Sequence, residues 1–460
     1  MVVCETPSEA IPVVGGNPTP AQQNMRGLSL RPSSVVLVRL NGNVVGMPSD
    51  EKPSWWDAGE LDVQMMTMGD VLRLVLDTVL LLLVPVMVFL VAYFSSNRAL
   101  AFVYSVCVAV ATYEYVWLAY RVRLRVFLPF KLHQKQTCRD IYGQIMSYSV
   151  DLRTCAITPI AERFFCGRKF LTAMLFSVIL AGTALGFCFV FPGAASSDGL
   201  LVVAYVSTNV FLCVMAATLS PNVPDAIVVV VRYAYYCLAS MNVLLKSATE
   251  TTTANNRPVT IESYSLLMLS SCLMLIIRVM TSKEAMESAV MALLDVAGML
   301  YLSCAAVVLE YFSRSPTAMN DHALLGFFII VWSSELGSFL TERILKRFRM
   351  TNNHPIAKHV SSRQNVEKLI GSLLLGVSGS FIASATVNFE MVNYLVAILA
   401  ATAIVFSQVC KLFLISLKKV AKTPATGEYL RIGGGVIDRI DTLLFMAIVF
   451  CPFFERKVFD

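Results

Sequence analysis

The chain has 460 residues, of which 56% are hydrophobic and 15% are charged, and its mean hydropathy is +0.67. Soluble domains are nearer to about 45–50% apolar and about 25% charged residues. The composition excludes a disordered chain, a small disulfide scaffold and an ordinary soluble enzyme. We therefore predict an all-α, polytopic integral membrane protein.

The first 65 residues differ from the rest of the chain. They are rich in Pro, Gly and Ser, carry mixed charge and show little periodicity. This composition is typical of disorder, and no charged segment followed by a short apolar core marks a cleavable signal peptide. We predict a disordered cytosolic tail over residues 1–65.

Long apolar runs follow this tail. A transmembrane helix needs about 20 predominantly apolar residues, and this length predicts about ten or eleven helices. The predicted spans are 74–94, 99–120, 170–192, 199–219, 226–245, 264–280, 287–311, 323–341, 369–388, 391–414 and 442–454. We divide them into an N-terminal bundle, residues 66–320, and a C-terminal domain, residues 321–460.

Lys and Arg concentrate in three segments between the spans. Residues 121–169, 343–368 and 411–439 are all strongly basic, and the span count places all three on one side of the membrane. Cytosolic loops carry an excess of Lys and Arg, so we predict that these segments and the N-terminus are cytosolic. Segment 121–169 has scattered aromatic residues, which is typical of a basic interfacial helix on anionic lipid. A simple topological signal explains it equally well.

The distribution of charge and cysteine excludes several functions. The basic residues do not form one continuous patch, so the bilayer is expected as a partner and nucleic acid is not. No Cys/His cluster has the spacing of metal ligands. Charged residues within spans are functional candidates by default, but without an accompanying motif we predict structural roles for them. These residues are Asp77, Glu114, Arg232, Arg278, Asp295 and Glu310.

The last basic segment carries a pattern that points to phosphate chemistry. Lys418-Lys419 end a span, and the triplet Gly433-Gly434-Gly435 can expose amide N–H groups to an anion. Asp438 and Asp441 are three apart, so a helix would present both on one face, with Arg439 between them. Lysines, glycines and two carboxylates together favour a nucleoside triphosphate site with a divalent cation. The alternative is a glycine-rich interfacial turn whose arginine binds lipid headgroups.

The segment resembles the signature of the phosphatidate cytidylyltransferases, also called CDP-diacylglycerol synthases. The matching residues are Lys418-Lys419, Gly427, Leu430, Gly434-Gly435 and Asp438-Arg439-Ile440-Asp441. A second stretch around Glu335 is similar to another family motif, as are Ser361, Arg363 and Glu367. The resemblance covers about residues 323–455 and makes the C-terminal domain cytidylyltransferase-like.

The resemblance implies the conversion of CTP and phosphatidate to CDP-diacylglycerol and pyrophosphate, with Mg²⁺ as cofactor and cytosolic active-site loops. It also implies a role for each matching residue. The implied catalytic residues are Asp438, Asp441, Lys418, Lys419 and Arg439, the metal ligands are Asp438, Asp441 and Glu335, and the substrate-binding residues are Gly433, Gly434, Gly435, Ser361, Arg363 and Lys411. A homodimer is a candidate assembly. We expect the endoplasmic reticulum membrane, with the mitochondrial inner membrane as the alternative.

Lys411 departs from the family pattern, which has a metal-binding Asp at this place. An ammonium group cannot ligate a cation, and three interpretations stay open. Its charge replaces one cation, or the alignment slips so that Glu335 and Asp438 hold the metal. The third is a non-catalytic relative that acts as a lipid-binding or scaffold protein.

Overall fold

A computed structural model describes twelve stretches of the chain. They are residues 36–40, 43–47, 97–135, 154–189, 197–249, 262–282, 284–314, 323–347, 354–387, 393–423, 425–426 and 434–455. The chain divides into two units, Met1–Thr67 and Met68–Asp460. The statements below concern the described residues of each unit.

The first unit contains a short antiparallel strand pair. β1 (Val36–Leu40) pairs with β2 (Asn43–Met47), with Val36 opposite Met47. This hairpin lies within the tail that the sequence predicts to be disordered. The other residues of the tail lie outside the described residues, and their disorder stays a prediction.

The second unit is helical, apart from one small sheet in its described part. The early helices are α1 (Asn97–Lys135), α2 (Thr158–Phe164), α3 (Lys169–Phe189), α4 (Ser197–Thr218), α5 (Val223–Thr249) and α6 (Ser263–Thr281). α7 (Ala285–Gly298) continues through a π-helical segment (Met299–Cys304) into α8 (Ala305–Arg314). The remaining elements are α9 (Ala323–Arg347), β3 (Pro355–Ala357), β4 (Ser361–Asn365), α10 (Val366–Thr386), α11 (Asn393–Ala421) and α12 (Ile437–Glu455).

Nine helices in the described ranges are long and apolar enough to cross a membrane, with α7 to α8 counted as one. The fold class is confirmed: the protein is an all-α, multi-pass membrane protein. The predicted span 74–94 lies outside the described residues. The predicted span 442–454 belongs to α12, whose first turns carry Asp438, Arg439 and Asp441; α12 is not one of the nine.

The basic segment 121–169 differs from the prediction at its start. Its first fifteen residues continue α1 without a break to Lys135, so they form the end of a long helix and not a separate interfacial one. α1 contacts α4, α5, α7, α8, α11 and α12. Its buried residues belong to all five hydrophobic clusters of the described residues, including one shared with α7, α11 and α12 and one shared with α5 and α6.

The charged residues of the N-terminal bundle pair with one another. Arg278 contacts Asp295 at 2.5 Å and Asp225 at 2.7 Å, and Arg232 lies 3.4 Å from Asp295. The guanidinium of Arg232 also lies over the ring of Tyr115, 5.1 Å from its centroid. Buried charges are stable only when paired. These contacts agree with the structural roles predicted for Arg232, Arg278 and Asp295, and they add Asp225, which was not among the predicted residues.

Small residues bring α9 and α10 into close contact. A Cβ atom on Gly371 would collide with the Thr341 side chain and lie 3.1 Å from the carbonyl oxygen of Gly337. Next to this contact the hydroxyls of Ser334 and Ser372 lie 2.7 Å apart and are fully buried. Small residues and interhelical hydrogen bonds are the usual means of association between helices in a membrane.

We expect Gly371→Ala to destabilise the protein by about 1–3 kcal/mol, because the added methyl group overpacks the α9–α10 contact. The matched control is Gly182→Ala on α3, where an added Cβ meets nothing within 4 Å. Thermal unfolding of the purified protein in detergent measures both. An unchanged midpoint for Gly371→Ala would contradict the close contact.

Candidate functional site

The predicted site lies where α11 ends and α12 begins. The sequence places it in a loop, but α11 runs to Ala421 and α12 starts at Ile437. Lys411 and Lys418 are therefore two turns apart on one helix, and Asp438 and Asp441 lie in the first turns of the other. Rigid helices, and not a mobile loop, position these four side chains.

Asp438 forms the centre of one half of the site. Its carboxylate forms an ion pair with the ammonium of Lys418 and accepts hydrogen bonds from the N–H groups of Thr426 (3.1 Å) and Gly435 (3.2 Å). Gly434 has a φ of +98°, and a Cβ there would collide with the Asp438 carboxylate. The glycine turn thus lets the backbone close around this aspartate.

Lys411 forms the centre of the other half. Its Nζ lies 2.5 Å from Glu335 Oε1 on α9 and 3.7 Å from Asp441 Oδ1 on α12. The hydroxyl of Thr442 donates to Glu335, and the backbone N–H of Thr442 donates to Asp441 at 2.6 Å. One ammonium group therefore connects three helices. The predicted residues Glu335, Lys411 and Asp441 are brought together.

Glu114 on α1 supports the start of α12. Its carboxylate accepts hydrogen bonds from the N–H groups of Val436 (2.9 Å) and Ile437 (3.0 Å) and from the hydroxyl of Thr426 (3.1 Å). The first N–H groups of a helix lack partners within it, and a carboxylate there also interacts favourably with the helix dipole. Glu114 is 1% exposed, so this contact replaces water that cannot reach the helix end.

The remaining predicted residues lie around this centre. Lys419 is exposed and donates to the carbonyl oxygen of His359, 2.8 Å away, in the turn between β3 and β4. Ser361 begins β4 and is half-buried, and Arg363 follows in the same strand. Arg439 is exposed on the first turn of α12. Gly433, Gly427 and Leu430 lie outside the described residues.

The three basic segments meet at one end of the helices. Lys419 connects the third segment to the second through His359. Burial and the positive charge of Arg125, in the first segment, lower the pKa of Lys422 in the third. This end of the described bundle is therefore strongly basic, which favours the approach of anions.

Two contributors to the site do not follow from the motif. Glu114 is more than 300 residues from the groups that it binds, and Thr442 lies next to a motif residue without being part of it. The sequence signal for Glu114 is its charge within an apolar span.

The carboxylates predicted to bind magnesium do not fit a metal ion as they are arranged. Glu335 and Asp441 contact Lys411, and Asp438 contacts Lys418. Among the residues that the structure describes, no three His, Cys, Asp or Glu side chains form a group that could hold a metal. No chemical step is assigned to magnesium here, and its binding stays a prediction.

Known proteins match the part of the chain that contains this site. The model of the cytidylyltransferase family matches residues 210–456, which is more than half of the chain. The chain belongs to this family. The family resemblance drawn from the motif is thereby confirmed, and the match extends upstream of the predicted domain boundary at residue 321 to include α5 to α8.

Individual cytidylyltransferases show more distant similarity. The phosphatidate cytidylyltransferase of Staphylococcus saprophyticus subsp. saprophyticus is 23% identical over 125 residues, which are 27% of this chain and 46% of that protein. The Staphylococcus haemolyticus protein of the same name is 22% identical over 125 residues, which are again 27% of this chain and 46% of that protein. The chain thus spans about half the length of the curated relatives that it matches.

We expect Glu114→Gln to lower the free energy of unfolding by about 2–4 kcal/mol, because the amide leaves buried donors of Val436, Ile437 and Thr426 poorly satisfied. Thermal unfolding in detergent measures the change. Glu162→Gln on α2, an exposed glutamate, is the control and should leave the midpoint unchanged. Equal midpoints for the two variants would show that Glu114 does not hold α12.

Proposed function

We propose that the protein transfers a cytidylyl group from CTP to phosphatidate, which yields CDP-diacylglycerol and pyrophosphate. One observation carries the proposal. At the start of α12, Lys418 pairs with Asp438 and Lys411 lies 3.7 Å from Asp441, beside a glycine turn and within the residues matched by the cytidylyltransferase family, and this arrangement supports the proposal. Two relatives named phosphatidate cytidylyltransferase support the choice of substrates.

In the proposed reaction, a phosphatidate oxygen attacks the α-phosphorus of CTP. A new P–O bond forms, the bond between the α-phosphorus and the bridging oxygen breaks, and its electron pair leaves with pyrophosphate. Phosphatidate is already anionic, so little is needed from a general base. The main requirements are to offset the repulsion between two polyanions and to align them.

The cationic side chains meet these requirements in the proposed mechanism. Lys418 lies in the last turn of α11 and Arg439 in the first turn of α12, where they would contact phosphate oxygens, and Lys419 extends the positive surface. The N–H group of Gly434 lies at the same helix end, a common location for anion binding, whereas the N–H group of Gly435 already donates to Asp438. Because Lys418 is already held by Asp438, its ammonium needs little reorganisation when phosphate arrives.

The location of the site suits a lipid substrate. Lys411 and Lys418 lie on a helix apolar enough to span the membrane, near its end. We propose that the acyl chains stay in the bilayer while CTP arrives from the cytosol, as the positive-inside rule predicts for this basic end. The endoplasmic reticulum membrane is the proposed location, with the mitochondrial inner membrane as the alternative, and a homodimer is the proposed assembly.

One observation favours a second candidate function. Each of the carboxylates Glu335, Asp438 and Asp441 lies beside an ammonium group, with Lys411 shared by two of them, so every carboxylate has a positive partner without a metal. Such pairing suits a non-catalytic relative that binds anionic lipid at the basic end and acts as a scaffold. The two candidates differ in whether CTP is consumed.

We expect the purified full chain to form CDP-diacylglycerol from CTP and phosphatidate in mixed micelles with Mg²⁺ in the buffer. Lys418→Met and Asp438→Asn should each lower the rate by about 100-fold or more, because each removes a charge that orients the phosphates. Thin-layer chromatography of labelled lipid measures the product. Arg168→Gln, which removes an exposed arginine on the loop before α3, is the control and should keep the full rate.

Product no higher than in the protein-free reaction would contradict the enzymatic proposal. If the same preparation binds phosphatidate vesicles but not phosphatidylcholine vesicles, the scaffold function is supported instead.

A further inference from the structure

Lys411 holds the position where a bound cation would be expected. Carboxylates from two helices, Glu335 on α9 and Asp441 on α12, both approach its Nζ, at 2.5 Å and 3.7 Å. The hydroxyl of Thr442 adds a third oxygen beside Glu335. Oxygen atoms of this kind are the ligands that Mg²⁺ and Mn²⁺ prefer. The atom at their centre is the nitrogen of a lysine.

Electrostatics explains why some cation must be present there. The carboxylates of Glu335 and Asp441 both approach one ammonium group, so they also lie close to each other and repel. For scale, two like charges about 4 Å apart repel by roughly 4 kcal/mol at an effective dielectric constant of about 20. The Lys411 ammonium offsets this repulsion. It is tethered to α11, so its local concentration at the two carboxylates far exceeds that of a free ion.

The two carboxylates differ in exposure. The Glu335 side chain is 37% exposed, whereas the Lys411 and Asp441 side chains are 12% and 13% exposed. A cation could therefore reach the pair from the side of Glu335 if the ammonium were absent. Lys418 is not available to neutralise Glu335 and Asp441 in place of Lys411, because it is already paired with Asp438, one turn before Asp441.

We propose that Lys411 is a resident cation that closes the Glu335–Asp441 pair to divalent metal ions, and that removal of its ammonium converts this pair into a divalent-cation site. The inference goes beyond the proposed function, since it involves neither CTP nor phosphatidate. It also selects one of the three interpretations of Lys411: the lysine charge replaces a metal charge.

Mn²⁺ binding to the purified full chain, measured by electron paramagnetic resonance without nucleotide or lipid substrate, tests the proposal. For the wild type we expect no Mn²⁺ binding that depends on Glu335. Lys411→Ala should bind one additional Mn²⁺ per chain, with an affinity at least about ten-fold above that of any residual Mn²⁺ binding by the wild type. Adding Glu335→Gln to Lys411→Ala should abolish this site.

Lys411→Arg is the matched control, because it keeps the positive charge and should gain no Mn²⁺. Lys411→Ala leaves two carboxylates unpaired, so its thermal midpoint should fall without metal and rise again with Mn²⁺. If Lys411→Ala does not fold, Lys411→Gln takes its place, since its amide still offers Glu335 a donor.

Two results would overturn the proposal. One is a Mn²⁺ site in the wild type that Glu335→Gln removes, which would show that the lysine does not exclude metal. The other is a folded Lys411→Ala or Lys411→Gln variant without additional Mn²⁺. Neither result bears on the transfer reaction, and an inactive wild type would leave this proposal standing.

Discussion

Charged groups inside an apolar helix bundle must meet opposite charges, and this requirement determines how the helices are arranged. An unpaired ion in such surroundings costs several kcal/mol. In the N-terminal bundle, Arg232 and Arg278 satisfy it by sharing Asp295. At the basic end, Lys411 satisfies it by joining α9, α11 and α12. The same contacts that permit the charges in the bundle also fix the relative positions of the helices.

The same pairing requirement determines where the positive charges of the site lie. Lys411 and Lys418 are held by carboxylates in defined positions, so their charges are directed before any anion arrives. The basic surface around them includes Lys419 and Arg439, which are exposed. The inner lysines paired with carboxylates and the exposed outer lysine and arginine together form a positively charged surface, which is the feature that the proposed reaction requires for its two phosphates.

Much of the fold could be predicted because the relevant signals are local. Apolar length alone located the described spans, and the i, i+3 spacing placed Asp438 and Asp441 on one helix. The predicted C-terminal end of α11 and the predicted start of α12 were wrong. Both helices extend into polar sequence, where hydropathy gives no signal. Their extension is supported by tertiary contacts, such as the Glu114 carboxylate at the start of α12.

The site was only partly predictable, because its pairings join distant parts of the chain. The motif identified Glu335, Asp438 and Asp441 as acidic groups of one site, and the family match supports that origin. It did not reveal that Glu335 pairs with Lys411, 76 residues away, or that Thr442 donates to Glu335. Sequence spacing cannot show which of several neighbouring cations each carboxylate contacts.

The position of Glu114 has a consequence for how the protein can be divided. This residue belongs to α1, upstream of the family-matched region that begins at residue 210, yet it holds the amides at the start of α12. A fragment excised at that boundary would lack the acceptor for its own last helix. The upstream helices are therefore not a detachable addition, because the family-matched region depends on a side chain from outside it.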